Sequence, residues 1–230
     1  MKSSAGPKAP KLREARSSSA IRVIIEGVIE MLEAGRLAPG QRLVETELCL
    51  RFGVGRNTVR EGLQRLAAEG IVELQRNRGA RLREVTLEEA VQTLEVTELL
   101  TGLAARAAAR AIHDDGAADQ MKSALQLLDE AQKDGDLRSF VRARRTFFNV
   151  LMSIGGNREL QRILATVHVH VLRAQFQLTD IQRRLHADYE AIGRAILTGE
   201  PARAEHVARR HVRRLRAKMI AGQMAEDRNS

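Results

Sequence analysis

The segment from Leu43 to Leu74 constrains this chain more than any other, because it carries two helical stripes joined by a glycine turn and then changes period. Val44 to Phe52 places Leu48 and Phe52 four residues apart on one helical face, and Gly53 follows as a residue able to take positive φ. Arg56 to Glu69 places Val59, Leu63 and Leu66 at i, i+4 and i+7, a stripe that must face other helices, and Gly70 ends it. Ile71 to Leu74 and Ala80 to Arg83 then read as two short strands around Arg76-Asn77-Arg78-Gly79. Upstream, Ile21, Ile24, Ile25, Val28, Ile29, Met31 and Leu32 recur at helical spacing from Ala20 and stop at Gly35, with Pro39-Gly40 as a turn. Three helices closed by a β-hairpin form a helix-turn-helix with a wing.

With Val59, Leu63 and Leu66 turned inward, Arg56, Asn57, Arg60 and Gln64 are left on the outer face of the third helix. Arg can donate two hydrogen bonds to guanine O6 and N7, and Asn or Gln can pair with adenine N6 and N7. Phosphate contacts are expected from Arg42, Thr46, Thr58 and the wing residues Arg76, Asn77, Arg78 and Gly79. A merely solvated charged face is the bland alternative for these arginines. The fixed order of helix, turn, helix and basic wing argues against it.

The formal net charge of +9 and a pI near 10.6 call for an anionic partner. The excess is uneven: residues 1–85 hold 16 Lys and Arg against 10 Asp and Glu, and residues 86–230 hold 22 against 19. The single Cys49 excludes an internal disulfide and a multi-cysteine metal cluster. No apolar run reaches the ~18 residues of a membrane span and the N-terminus lacks a signal core, so a cytoplasmic location with no membrane partner is expected. Aromatics are 3% of the chain, which favours helices packed through aliphatic faces.

The expected fold is mainly α. Residues 1–19, with Lys2, Lys8, Lys11, Arg13 and Arg16, read as a disordered basic tail that attracts phosphates without reading bases. Residues 20–84 form the winged helix-turn-helix with its small β-hairpin. Thr86 opens a long helix to Ile112 as its N-cap, with Glu88 and Glu89 in the first turn. Breaks at Asp114-Asp115-Gly116, Asp134-Gly135-Asp136, Gly155-Gly156-Asn157, Leu178-Thr179-Asp180 and Gly199-Glu200-Pro201 divide the rest into an all-α bundle of about six helices over 85–222. Residues 223–230 read as a second disordered tail.

Leu43 to Leu74, followed by Arg78-Gly79, resembles the winged helix-turn-helix of the GntR family of bacterial transcription regulators. That family usually reads Gly-Val-Ser-Arg-Thr-Pro-Val-Arg-Glu-Ala-Leu through the turn and recognition helix. Here the run is Gly53-Val54-Gly55-Arg56-Asn57-Thr58-Val59-Arg60-Glu61-Gly62-Leu63. Gly55, Asn57, Thr58 and Gly62 depart from it, as does Thr46 where many members carry Arg. These departures imply an altered operator preference.

The helical remainder resembles the ligand-sensing C-terminal domain of the FadR subgroup, through Thr86-Leu87-Glu88-Glu89-Ala90, Phe147-Phe148-Asn149 to Gly155-Gly156-Asn157, and Gly199-Glu200. Many such domains hold a divalent metal with one Asp and three His. The matching positions here are Arg144, Phe148, Tyr189 and His211, so the resemblance implies no metal and no cofactor. The other histidines do not readily rebuild the site, although His186 lies one turn from Tyr189. Arg144 could hold an effector carboxylate directly, with Tyr189 and His211 adding polar contacts. Thr97 and Thr101 stand where the subgroup often has Arg and Glu, which suggests an apolar pocket with one cationic anchor. The alternative leaves Arg144 on the surface and Phe148 in the core.

Together these features point to a homodimeric transcription regulator on double-stranded DNA with a palindromic operator, modulated by a small carboxylate-like effector. Repression is the commoner mode in the family it resembles. An enzyme is not expected, because no nucleophile, base and orienting group occur in a recognisable pattern. A basic RNA-binding or architectural protein fits the charge but not the low aromatic content.

Overall fold

In the computed structural model, which describes residues 9–75, 79–166 and 169–229, the first element is a helix of 25 residues, α1 (Ala9–Glu33). It begins well before Ala20, so much of the stretch read as a disordered tail belongs to α1 instead. Pro10 lies in the first turn, where its missing N–H costs nothing, and no Gly or Pro follows until Gly27. Each further residue then gains a backbone hydrogen bond on an existing helix, and this offsets the poor propensity of Ser17, Ser18 and Ser19.

A three-stranded antiparallel sheet, α2 (Glu45–Phe52) and α3 (Arg56–Ala68) complete the reading head. The strands are β1 (Arg42–Leu43), β2 (Val72–Gln75) and β3 (Gly79–Leu82), in the order β1-β3-β2. Val72 pairs with Leu82 and Gln75 with Gly79, so each hairpin strand is offset by one residue from the sequence expectation. Arg42 and Leu43 pair with Arg81 and Ala80; at two residues β1 is too short for alternation to announce it.

α3 packs on α1 through a missing side chain. A Cβ on Gly62 would come within 2.9 Å of Ile24 Cγ2 and 3.2 Å of Ile24 Cβ. Ile24 is fully buried and has nowhere to retreat. The glycine that departs from the family pattern therefore lets two helices approach closely.

The C-terminal part holds eight helices among the described residues, not about six. They are α4 (Leu87–Arg110), α5 (Ala117–Asp134), α6 (Leu137–Gly155), α7 (Arg158–Thr166), α8 (Val169–Gln175), α9 (Leu178–Arg184), α10 (His186–Leu197) and α11 (Pro201–Asn229). The excess arises between Arg158 and Leu197, where three short helices precede α10. Gln177, at φ 48°, makes the break that had been expected at Leu178-Thr179-Asp180. α11 also runs through residues read as a disordered C-terminal tail, because Ala, Gln, Met, Glu and Arg all favour helix.

Thr86 caps α4 as expected, with a reciprocal box: its hydroxyl accepts from the Glu89 N–H and the Glu89 carboxylate accepts from its own N–H. α4 lies along α11, joined by Arg209–Glu98 at 3.2 Å and Arg106–Glu205 at 3.1 Å. Two apolar cores result. One unites Ala104, Ala108, Phe140, Phe147, Tyr189 and Ile192 within the bundle. The other runs from Ile24, Leu32, Leu48 and Val59 of the head into Leu94 of α4, Val171 and Leu172 of α8, Leu178 and Ile181 of α9, and Leu215 of α11. The reading head is thus fused to α8 and α9 through shared apolar packing.

Gly62→Ala should expose the tightness of the α1–α3 contact. Overpacking costs about 1–3 kcal/mol, against a helix-propensity gain of about 1 kcal/mol. The variant should melt a few degrees lower in thermal unfolding, and the loss should shrink in an Ile24→Ala background. A Gly62→Ala protein more stable than its parent would refute this packing account.

Candidate DNA-reading surface and effector cavity

Gly53 takes φ 64° at the end of α2 and donates its N–H to the Cys49 carbonyl, which turns the chain directly into α3. Val59, Leu63 and Leu66 are buried, and Arg56, Asn57, Arg60 and Gln64 are exposed on the opposite side of the helix, with Thr58 half-buried. Gly55 is the N-cap of α3 and offers no side-chain acceptor, so the first-turn amides point outward beside Arg56. Arg42 and Thr46 are exposed on the same head, and Gly79 opens β3 at φ 85°. Arg76, Asn77 and Arg78 lie outside the described residues.

Arg60 has a partner that sequence reasoning missed. Its Nε donates to both carboxylate oxygens of Glu45, at 3.0 and 3.1 Å, from the first turn of α2. The Arg60 side chain remains 62% exposed, so this pair contributes only about 0–1 kcal/mol. A bidentate contact to a base, worth about 1–3 kcal/mol in general, would exceed it. Glu45 holds the guanidinium across the helix-turn-helix without blocking it.

A cavity of about 620 Å³ lies in the helical part, lined by Thr97, Thr101, Arg144, Phe148 and His211 among others. Five of the six expected effector residues are therefore assembled around one space. Tyr189 does not line it but is fully buried behind it, its ring centroid 4.8 Å from that of His211 and 6.1 Å from that of Phe148. The Thr97 hydroxyl is already committed to the Thr93 carbonyl at 2.7 Å.

Arg144 is buried rather than on the surface, and its partner is a protein carboxylate. Its Nη2 donates to Glu33 Oε2 at 2.8 Å, and both side chains are 2% exposed. Arg173 of α8 donates to the other oxygen, Glu33 Oε1, also at 2.8 Å. The expectation of a single cationic anchor is thus corrected: Arg173 is a second one, and Glu33, the last residue of α1, stands between them. Burial together with the nearby Arg144 charge pushes Arg173 down to about 10, while Glu33 works in the opposite direction. Glu33, Arg144 and Arg173 all line the cavity.

Asp188, adjacent to Tyr189 on α10, organises the far wall. Its carboxylate meets His211 Nδ1 at 3.3 Å and the Arg214 guanidinium. Burial pushes the Asp188 carboxyl up, but the His211 hydrogen bond and the charges of His211, Arg214 and Arg210 outweigh it and hold the group below its ordinary range. Burial likewise pushes the Tyr189 hydroxyl up to about 12.

These residues do not fit the metal that related sensing domains hold. The Arg144 guanidinium already neutralises a carboxylate at the first position, an aromatic ring fills the second, and His211 Nδ1 is engaged by Asp188. Elsewhere, Asp129, His186 and Glu190 bring ligand atoms within 4.8 Å of one another. Asp129 is paired there with Lys133 at 2.7 Å, and Glu190 is exposed.

Comparison with known proteins finds one family model on the N-terminal head and a second on the helical part. Residues 21–82 match the family described as bacterial regulatory proteins, gntR family, and residues 92–214 match the FCD domain. A Paenarthrobacter nicotinovorans protein described as "Probable D-xylose utilization operon transcriptional repressor" is 28% identical over 187 residues, covering 80% of this chain and 82% of its own. The HTH-type transcriptional regulator LutR of Bacillus subtilis is 28% identical over 207 residues, covering 79% and 93%. The solved structure of E. coli McbR/YncC superposes with a TM-score of 0.76 at 17% identity, covering 88% of this chain and 97% of that one, which supports the fold. The chain belongs to the GntR family of DNA-binding bacterial transcription regulators, with a winged helix-turn-helix head and an FCD effector domain.

Proposed function

We propose that the protein is a cytoplasmic homodimeric regulator that reads a short palindromic operator with α3 of each protomer and responds to a small carboxylate-bearing effector in the helical cavity. Operator occupancy then represses transcription. The observation that carries this reading is the joining of an outward Arg56, Asn57, Arg60 and Gln64 face to a cavity lined by Arg144 and Arg173 through one continuous apolar core. A single α3 contacts only a few base pairs, so two copies are needed for useful specificity. Val96 and Leu99, three apart and about half exposed on α4, offer apolar surface for a self-complementary contact. No helix among the described residues is long and apolar enough to cross a membrane, in keeping with action on DNA.

Arg56, Arg60, Asn57 and Gln64 read base edges, and Arg42, Thr46, Thr58 and the wing, including Gly79, hold phosphates. Duplexes selected from a random pool by the wild-type protein supply the operator for the test. Arg60→Ala should lower the ratio of selected-duplex to scrambled-duplex affinity by roughly 10-fold or more, with little change in scrambled-duplex binding. Equal losses on both duplexes would instead make Arg60 a phosphate contact. Preference for single-stranded RNA over every selected duplex would favour the architectural alternative and end this reading.

Metal dependence provides a second test. Dialysis against a chelator should leave both the melting temperature and operator affinity unchanged. A chelator-induced loss of stability that disappears in His211→Ala would contradict a metal-free cavity.

A further inference from the structure

Glu33 sits where helix physics disfavours it. It ends α1, where the partial negative charge of the helix C-terminus repels a carboxylate, and its side chain is 2% exposed. Neither α1 nor the head core benefits from an acid at that place; the two arginines account for it. Arg144 reaches it from α6 and Arg173 from α8, so one carboxylate ties the last residue of the head's first helix to two helices of the sensing domain. α8 holds the connection a second time. Two residues beyond Arg173, Gln175 accepts from the Val85 N–H at 2.9 Å and donates to the Val85 carbonyl at 2.6 Å, clamping the backbone just before α4.

The surroundings are those of an anion site with capacity to spare. The buried Arg144 and the partly buried Arg173 both pair with Glu33, and the exposed Arg145 also lines the cavity. Arg144 Nε, Gln182 Oε1 and His211 Nε2 are buried without hydrogen-bond partners, on cavity-lining side chains that are each more than nine-tenths buried. The rest of the lining is mainly apolar, with Leu94, Ala104, Met152, Leu164 and Leu215, and is interrupted by Thr97, Thr101, Asn149, Ser153 and Gln161. A molecule with one carboxylate and a largely apolar body matches this combination of guanidinium groups and aliphatic side chains.

We propose that Glu33 is the resident ligand of the effector site: it occupies Arg144 and Arg173 until a free carboxylate takes its place, and its departure uncouples α1 from α6 and α8. This rests on the effector-responsive reading above and names the event that transmits the signal. Exchanging one carboxylate for another preserves the arginine pairing, so the guanidinium groups are never left without an anion and the two arrangements remain close in free energy. The effector competes with Glu33 for the same donors, and this competition supplies the differential affinity that moves the head.

Acetate is the part of the Glu33 side chain that Glu33→Ala removes, and it tests the site without knowledge of the natural effector. In thermal unfolding, about 100 mM sodium acetate should raise the melting temperature of Glu33→Ala by about 3 °C relative to sodium chloride of equal ionic strength. Neither acetamide on the variant nor acetate on the wild type should do so; equal acetate shifts in the two proteins would overturn the proposal. Should Glu33→Ala fail to fold, the near-isosteric Glu33→Gln carries the test, with 4-phenylbutyrate as probe in titration calorimetry. It should bind Glu33→Gln at least about 10-fold more tightly than wild type, because the internal competitor is gone. Equal affinity, or no binding to Glu33→Gln, would overturn the proposal. On the selected operator, 4-phenylbutyrate should change wild-type affinity, and Glu33→Gln should remain at the ligand-bound value with or without it. An equal response in both proteins would defeat the exchange while leaving an effector-controlled regulator standing. A wild type that binds operator but ignores the carboxylate it binds would defeat effector control itself.

Discussion

The architecture depends on one buried carboxylate. Glu33 meets Arg144 and Arg173 at 2.8 Å each and ties the last residue of α1 to the cavity wall, beside the apolar core that the head shares with α4, α8, α9 and α11. Removing ions of this size from water costs several kcal/mol apiece, and mutual attraction recovers that only when the pairing is good. The carboxylate therefore holds both arginines: deleting either arginine leaves a matched pair, whereas deleting Glu33 takes this counter-ion from both guanidinium groups at once. Such a cluster adds little net stability, but it fixes the register of α1 against α6 and α8. An apolar contact of equal size would tolerate sliding.

Shared packing extends this constraint to the DNA-reading surface. α1 supplies Ile24 to the α3 contact, Val28 and Leu32 to the common core, and Glu33 to the cavity. Gly62 lets α3 sit directly on Ile24, so a shift of α1 moves α3 with it. The outward arginines are thus placed by a helix whose far end lies among the effector-cavity residues. These arginines are exposed, while the groups that position them are buried.

Much of this was legible in the sequence. The stripe Val59, Leu63 and Leu66 fixed the outward face of α3, and Thr86 with Glu89 marked the opening of α4, because both are local patterns with a single physical meaning. The burial of Arg144 is also legible, since it follows Phe140 by four residues and precedes Phe147 by three, on the buried stripe of α6. Glu33 left a comparable trace, four residues after the inward Ile29 and in a helical turn that disfavours acids. Arg173 left none, since α8 is seven residues long and its buried side is set by contacts distant in the chain. The ends of α1 and α11 are less legible, because Ser-rich or polar composition and, in α11, Gly222 resemble chain termini although the helix continues through them.

The central claim is that the carboxylate of Glu33 holds the reading head against the sensing helices. Hydrogen exchange of wild-type and Glu33→Gln proteins, both free of ligand, measures this most directly. The account predicts faster exchange in the C-terminal half of α1, in the Val85 linker and in α8, with α5 and α10 unchanged. Unaltered protection of α1 and α8, or a uniform loss across the whole bundle, would contradict it.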